Sequence, residues 1–298
     1  MTEKVWVRKS LRELSISLFR QGIKASKNLV RRLLKDMKYS LRVNCRSLSA
    51  QQHPERDKQM RYIKCMRKRF IKQGYPVISI DAKKTELIGN FANKGESWCE
   101  DSTQVNIYDV PQIAEEKVIP YGIYDLAHNK GYVYLGTSGN TPEFAATVVA
   151  TWWQNPQRER FKKENRLYIF CDAGGANGHR FWAWKYHLQK QLADAFGITV
   201  IVSHYPTGAS KFNPIEHRLF SQISRNWAAQ PLVSMNFMLR AIRGTSTQLG
   251  LQVFAYPIKQ TFETGSTLSK EQKESIKLKR RTTCPDWNYQ ILPTLSKT

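Results

Sequence analysis

At Pro76 the chain changes character. Before it lie basic stretches in which apolar residues recur every three or four positions; beyond it, short apolar runs alternate first with turn signals and then with helical patterns. That order predicts a small helical module followed by a mixed β-sheet flanked by helices, an α/β architecture. The length of 298 residues suits one sizeable core plus a smaller module. The expected organisation is a basic helical region over 1–75, a sheet-bearing domain over 76–265 and a basic, polar, partly extended tail over 266–298.

Charge follows the same division. Residues 1–75 hold 21 Lys and Arg against 5 Asp and Glu, so this quarter of the chain carries most of the net charge of +23. Such asymmetry points to a polyanionic partner, because cations that neutralise phosphates release condensed counterions. Charge alone suits DNA, RNA or an anionic membrane surface. No apolar run is long enough to span a bilayer, and the first residues lack the order of a secretory signal, so a cytoplasmic protein is expected. The five cysteines (Cys45, Cys65, Cys99, Cys171 and Cys284) form no C-x-x-C pair, which favours neither a disulfide framework nor a zinc site.

Within 10–37, Leu11, Leu14, Leu18 and Phe19 form one apolar stripe. Ser26 can then cap a second helix carrying Val30, Leu33, Leu34 and Met37. This is a helix-turn-helix pattern whose second helix presents Lys27, Arg31, Arg32 and Lys35 to a DNA groove or backbone; the same spacing also fits an ordinary helical hairpin with a solvated basic face. A third helix is expected over 56–72, ending at Gly74. Strands are expected over 77–80, 86–91 and 105–110, then a hairpin around Asn129-Lys130-Gly131. A helix capped by Thr141 follows, then strand 167–171, helix 180–196, strand 198–202 and a helix from Pro214 to about Ala229.

Three carboxylates stand out. Asp81 closes the apolar run Val77-Ile78-Ser79-Ile80, where an ionised group is expensive unless it is paired or binds a metal. Asp172 ends the strand 167–171, at the edge of an α/β sheet where ligands gather. Glu216 opens a helix and shares a face with Phe220, Ile223 and Trp227. Each also has a local reading: Asp81 as a turn residue, Asp172 as a cap at Gly174-Gly175, Glu216 as the partner of Asn213 in a capping box. Converging carboxylates suit hard divalent cations such as magnesium, and two such ions about 3.5–4 Å apart serve phosphodiester chemistry. Lys83, Lys84, Lys211, His217 and Arg218 flank these positions, either as phosphate contacts or as a solvated rim. His204 is either a proton-transfer group or a structural histidine.

These residues sit in long motifs: Ser79-Ile80-Asp81-Ala82-Lys83-Lys84-Thr85-Glu86-Leu87-Ile88-Gly89-Asn90-Phe91, Tyr121-Gly122-Ile123-Tyr124-Asp125-Leu126, Cys171-Asp172-Ala173-Gly174-Gly175-Ala176-Asn177-Gly178, and Ser210-Lys211-Phe212-Asn213-Pro214-Ile215-Glu216-His217-Arg218-Leu219-Phe220. In these motifs, and over nearly the whole chain, the sequence resembles the Rhodopirellula-type DDE transposases of bacterial insertion sequences. The resemblance implies an RNase H-like catalytic domain over 76–265. Asp81, Asp172 and Glu216 would then be its catalytic and metal-binding triad, holding two Mg2+ ions with Mn2+ able to substitute. It further implies double-stranded DNA partners (element ends and target), a homo-oligomer on DNA, a nucleoid-associated location, and no membrane. The family's members usually carry additional helical sequence before the region matching Ser10, which keeps a second reading open: a truncated, DNA-binding relic or regulator without transposition. A third reading, another RNase H-like nuclease such as a junction resolvase, is disfavoured by the helix-turn-helix together with Asn213-Pro214-Ile215-Glu216.

Overall fold

The computed structural model describes residues 7, 9–41 and 53–294, in two compact units, Met1–Ala50 and Gln51–Thr298. In the first unit, α1 (Leu11–Arg20) starts in a capping box: Ser10 Oγ accepts from Glu13 N at 3.2 Å while Glu13 Oε2 accepts from Ser10 N at 2.7 Å. Gly22, at φ +81°, makes the turn that a Cβ would strain. The next helix, α2 (Lys27–Asp36), is capped by Ser26, whose Oγ accepts from Leu29 N at 3.3 Å. Val30 is buried in this pair, and Ser15 Oγ ties it to Ala25 O at 2.5 Å.

The second unit opens with α3 (Arg56–Lys72), then β1 (Val77–Ala82), β2 (Glu86–Ile88), β3 (Glu116–Asp125) and β4 (Lys130–Gly136). Next come α4 (Pro142–Gln154), β5 (Arg166–Asp172), α5 (Trp182–Leu188, continued by a π-helical segment Gln189–Asp194) and β6 (Thr199–Tyr205). A second π-helical segment, Glu216–Phe220, runs into α6 (Ser221–Asn226) and is followed by α7 (Met235–Arg243), β7 (Gln252–Pro257), α8 (Lys270–Glu274), β8 (Leu278–Arg280) and β9 (Asn288–Ile291). The strands form a mixed sheet in the order β7-β4-β3-β1-β5-β6-β9-β8, with β2 on β3. Its centre, antiparallel β4-β3-β1 followed by parallel β1-β5-β6, is the RNase H-like arrangement.

The two-residue period of a strand sorts side chains to opposite faces. On β1, Ile78 and Ile80 join Leu167, Ile169 and Cys171 of β5 beneath α4 and α5, in a core that includes Trp152 and Trp184. The alternate residues Val77, Tyr168 and Phe170 face the other way and pack with Ile63 and Phe70 of α3. Asp81 and Asp172 continue this second register, so parity alone puts both aspartates on one face of adjacent strands. Further along, Tyr124, Val133 and Leu135 pack beneath Ile215, Leu219, Phe220 and Ile223.

Three expectations change here. The third helix does not belong to the N-terminal module: its apolar side is buried in the second unit, and its Gln59 amide donates to His204 O at 2.9 Å and Asn288 Oδ1 at 3.0 Å. Residues 105–110 form no strand, and Ile107 and Tyr108 are exposed. The tail is not an appendage, since β9 pairs antiparallel with β6 and with β8 and extends the sheet; strands of three and four residues are too short for their periodicity to register in the sequence.

Gly122 sits opposite Asp81 in the β1–β3 pairing. A Cβ there would lie 2.6 Å from Phe220 Cε1 and 2.8 Å from Ile215 Cδ1. The helix bearing Glu216 rests on that bare backbone. Gly122→Val is therefore expected to lower stability by about 1–3 kcal/mol through overpacking, read as a reduced midpoint in urea; an unchanged midpoint would mean that the helix does not press on β3.

Candidate active site

Asp81 and Asp172 leave the carboxyl ends of parallel neighbours β1 and β5, and Glu216 begins the helical segment beside them. Asp81 Oδ1 accepts from Ala82 N at 2.8 Å. Asp172 Oδ1 accepts from Asn213 Nδ2 at 3.1 Å. Asn213 is fully buried, and its Oδ1 takes a short hydrogen bond from the Ser79 hydroxyl, which itself accepts from Ile215 N at 3.3 Å. One chain of hydrogen bonds thus joins β1, β5 and the start of the Glu216 helix. Asn213 does not cap that helix with its side chain, so the capping-box reading of Asn213 and Glu216 is not what the residues adopt.

The electrostatics show that the three acids feel one another. Burial, then the charges of Asp172 and Glu216, push Asp81 up to about 8. Burial raises Asp172 to about 6, with Glu216 adding to the shift and the Asn213 bond opposing it. Glu216 is also raised by burial, against the pull of His217 and Lys83. Among the described residues none of the three forms an ion pair. Nor, among those residues, do three or more His, Cys, Asp or Glu side chains stand together as a ready coordination shell. The donor set is nonetheless all carboxylate oxygen, and the neighbouring soft or nitrogen ligands turn elsewhere: Cys171 faces the opposite core and His204 Nδ1 donates to the Asp172 carbonyl at 2.9 Å. Magnesium suits such a set, because it keeps several waters and needs only one or two carboxylates from the protein.

His204 takes the structural role. It is fully buried, accepts from Tyr289 Oη at 2.9 Å, and is held neutral by desolvation, which lowers it to about 3. The flanking cations divide. Lys83 pairs with Glu86 and lies 4.9 Å from the Trp227 ring centroid. With Lys84 it lines a cleft of about 750 Å³ that also contains Lys94 and Lys117. Lys211, His217 and Arg218 are exposed, and His217 bonds the Lys211 carbonyl. Lys27, Arg31, Arg32 and Lys35 are all exposed on α2, in the other unit.

Sequence reasoning missed Asn213 as a positioning residue. The available signal was Ser79, a hydroxyl in the middle of an apolar strand that had to find a buried partner. Asn213→Ala strips Asp172 of its donor and leaves Ser79 unsatisfied. The midpoint of a magnesium titration is expected to rise about 10–100-fold, the usual effect of losing a partner behind a metal ligand; an unchanged midpoint in a folded variant would remove Asn213 from the site.

A mixed sheet of this order, with acids at the ends of its central parallel strands and on the adjoining helix, is the arrangement of RNase H-like proteins. The chain belongs to the family described as Rhodopirellula transposase DDE domain, whose profile matches residues 1–293. It is a DDE transposase. A search of curated proteins returned no significant match. Similar solved structures include the Mos1 strand transfer complex (16% identity, 80% of this chain and 71% of that one, TM-score 0.46). Others are a Mos1 transposase paired-end complex with the left transposon end (14%, 81% and 77%, 0.43) and a Mos1 mariner paired-end complex with Mn (14%, 81% and 78%, 0.42).

Proposed function

We propose that this transposase cuts phosphodiesters at the ends of its element and joins the freed 3′-hydroxyl to target DNA, with Asp81, Asp172 and Glu216 as the catalytic, metal-holding groups. The observation that carries this reading is a set of partly buried carboxylates without ion-pair partners among the described residues, in which burial and the neighbouring acids raise Asp81 and Asp172 and burial raises Glu216, a state that a divalent cation would relieve. Two Mg2+ ions, or Mn2+ in their place, would supply activation of the attacking oxygen and stabilisation of the leaving one. Asp81, Asp172 and Glu216 would hold these ions, Asp172 being aimed by Asn213 and Glu216 entering from the helix that rests on Gly122.

Double-stranded DNA, both element end and target, is the partner. Lys83, Lys84, Lys211, His217 and Arg218 would bear on phosphates near the cut, and Lys27, Arg31, Arg32 and Lys35 on α2 would also contact duplex, in a homo-oligomer that brings two ends together. No helix among the described residues is long and apolar enough to cross a membrane, and we place the protein with the nucleoid. The deciding experiment incubates labelled duplex carrying the flanking element ends with the protein and magnesium. Metal-dependent nicking supports the reading. Salt-sensitive binding without nicking, indifferent to magnesium, would instead identify a DNA-binding relic or regulator.

A further inference from the structure

A cavity of about 470 Å³ is lined by His179, Arg180, Trp182, Lys185, Arg280 and Trp287, among others, none of which serves the triad. Its size falls within the roughly 300–1,000 Å³ typical of ligand pockets. The cavity shares a loop with the catalytic edge: both the backbone N and the Nδ1 of His179 contact the carbonyl of Ala173, the residue after Asp172, at 3.3 and 3.0 Å.

Lys185 is the anomaly in this wall. It is only 2% exposed, yet among the described residues it has no ion-pair partner. Its Nζ donates to the His179 carbonyl and lies 5.5 Å from the Trp182 ring centroid and 5.1 Å from that of Tyr289. An ammonium carries three donors, and a buried cation is costly unless an anion meets it. The acids lining the cavity are already engaged: Asp286 pairs with Arg280 at 2.8 Å and Glu55 with Lys58 at 2.9 Å. Burial lowers Lys185 to about 8, with Arg280 adding to the shift. Arg180 and Trp182 are both exposed, Trp182 at 40%, so the cavity offers a cation and an aromatic face to a strand arriving from solvent.

We propose that this cavity receives one nucleotide of the DNA strand adjoining the cut, its phosphate on Lys185 and Arg180 and its base against Trp182. This rests on the DNA-cutting reading above. Phosphate-cation contacts make binding depend on salt, whereas base-on-ring stacking does not, which separates the two halves of the site.

The test uses the full chain without metal, so that catalysis plays no part, and fluorescence anisotropy of a labelled single-stranded oligonucleotide over a salt series. The variants are Lys185→Met, Arg180→Ala and Trp182→Ala; the last two are surface changes that decide the matter if the first fails to fold. Lys185→Met and Arg180→Ala are each expected to reduce the slope of log affinity against log salt by about 0.7. Trp182→Ala is expected to weaken binding about tenfold with the slope unchanged. Wild-type affinity and slope in Arg180→Ala and Trp182→Ala would overturn the cavity while leaving the proposed function standing; no DNA binding by the wild type would overturn both. A deoxynucleoside monophosphate or inorganic phosphate that displaced the strand at equal concentration would assign the cavity to a free anion and overturn its assignment to DNA.

Discussion

Asp81→Ala, Asp172→Ala and Glu216→Ala are each expected to lower magnesium-dependent nicking of element-end DNA by more than about 100-fold. The floor comes from the smaller loss that follows when only a partner behind a metal ligand is removed, about 10–100-fold; deleting a ligand itself must exceed it. Asp81→Ala should be the most severe, because Asp81 is the acid on which the charges of both others act. DNA affinity in the absence of metal should hold or improve, since each change removes a negative charge from a surface meant for phosphates. Nicking at the wild-type rate by any one variant would remove that residue from the triad.

The second large effect is on stability, and its sign runs against the first. Asp81 has an ordinary value of 3.8 and is pushed up to about 8 in the folded chain. The folded state therefore holds a proton that the unfolded chain has released. Metal-free stability is fully present below about pH 4, falls as pH rises, and levels off above about pH 8, with Asp172 contributing in the same direction between about 4 and 6. Asp81→Asn abolishes the burial and repulsion of that charge. At pH 8 without metal it should melt several degrees above wild type, at about 2–4 °C per kcal/mol for a domain of this size; at pH 4 the two should coincide. Magnesium should then raise the melting temperature of wild type more than that of Asp81→Asn, because a ligand that binds only the native state stabilises it by mass action. A variant less stable than wild type at pH 8 would show that the Asp81 charge is compensated within the protein. The opposed effects on activity and stability are the expected mark of charges assembled for a ligand rather than for the fold.

Much of this architecture is legible in the residues. The runs ending at Asp81 and Asp172 are β1 and β5, and the helix capped by Thr141 with Pro142 at its first position is α4, with Thr141 Oγ1 accepting from Phe144 N at 3.1 Å. The hairpin expected around Asn129-Lys130-Gly131 joins β3 to β4, Asn129 taking φ +54°. These features depend on neighbours within a few positions, which is the range over which caps, turns and side-chain periods act. Elements defined by distant partners escaped: β7, whose place comes from parallel pairing with β4, and β8–β9, whose place comes from β6.

The site divides along the same line. By itself the sequence singled out the acids: the two aspartates at the ends of apolar strands and the glutamate at the start of a helix, on the face that carries its apolar residues. Only the tertiary structure decided how they meet. Ser79 and Asn213 are 134 positions apart, and their hydrogen bond, continued to Asp172 and Ile215, exists because β1 lies beside β5 and Gly122 admits the Glu216 helix. A buried donor takes whichever acceptor the packing brings to it, so the identity of that partner belongs to the fold and not to any local stretch of sequence.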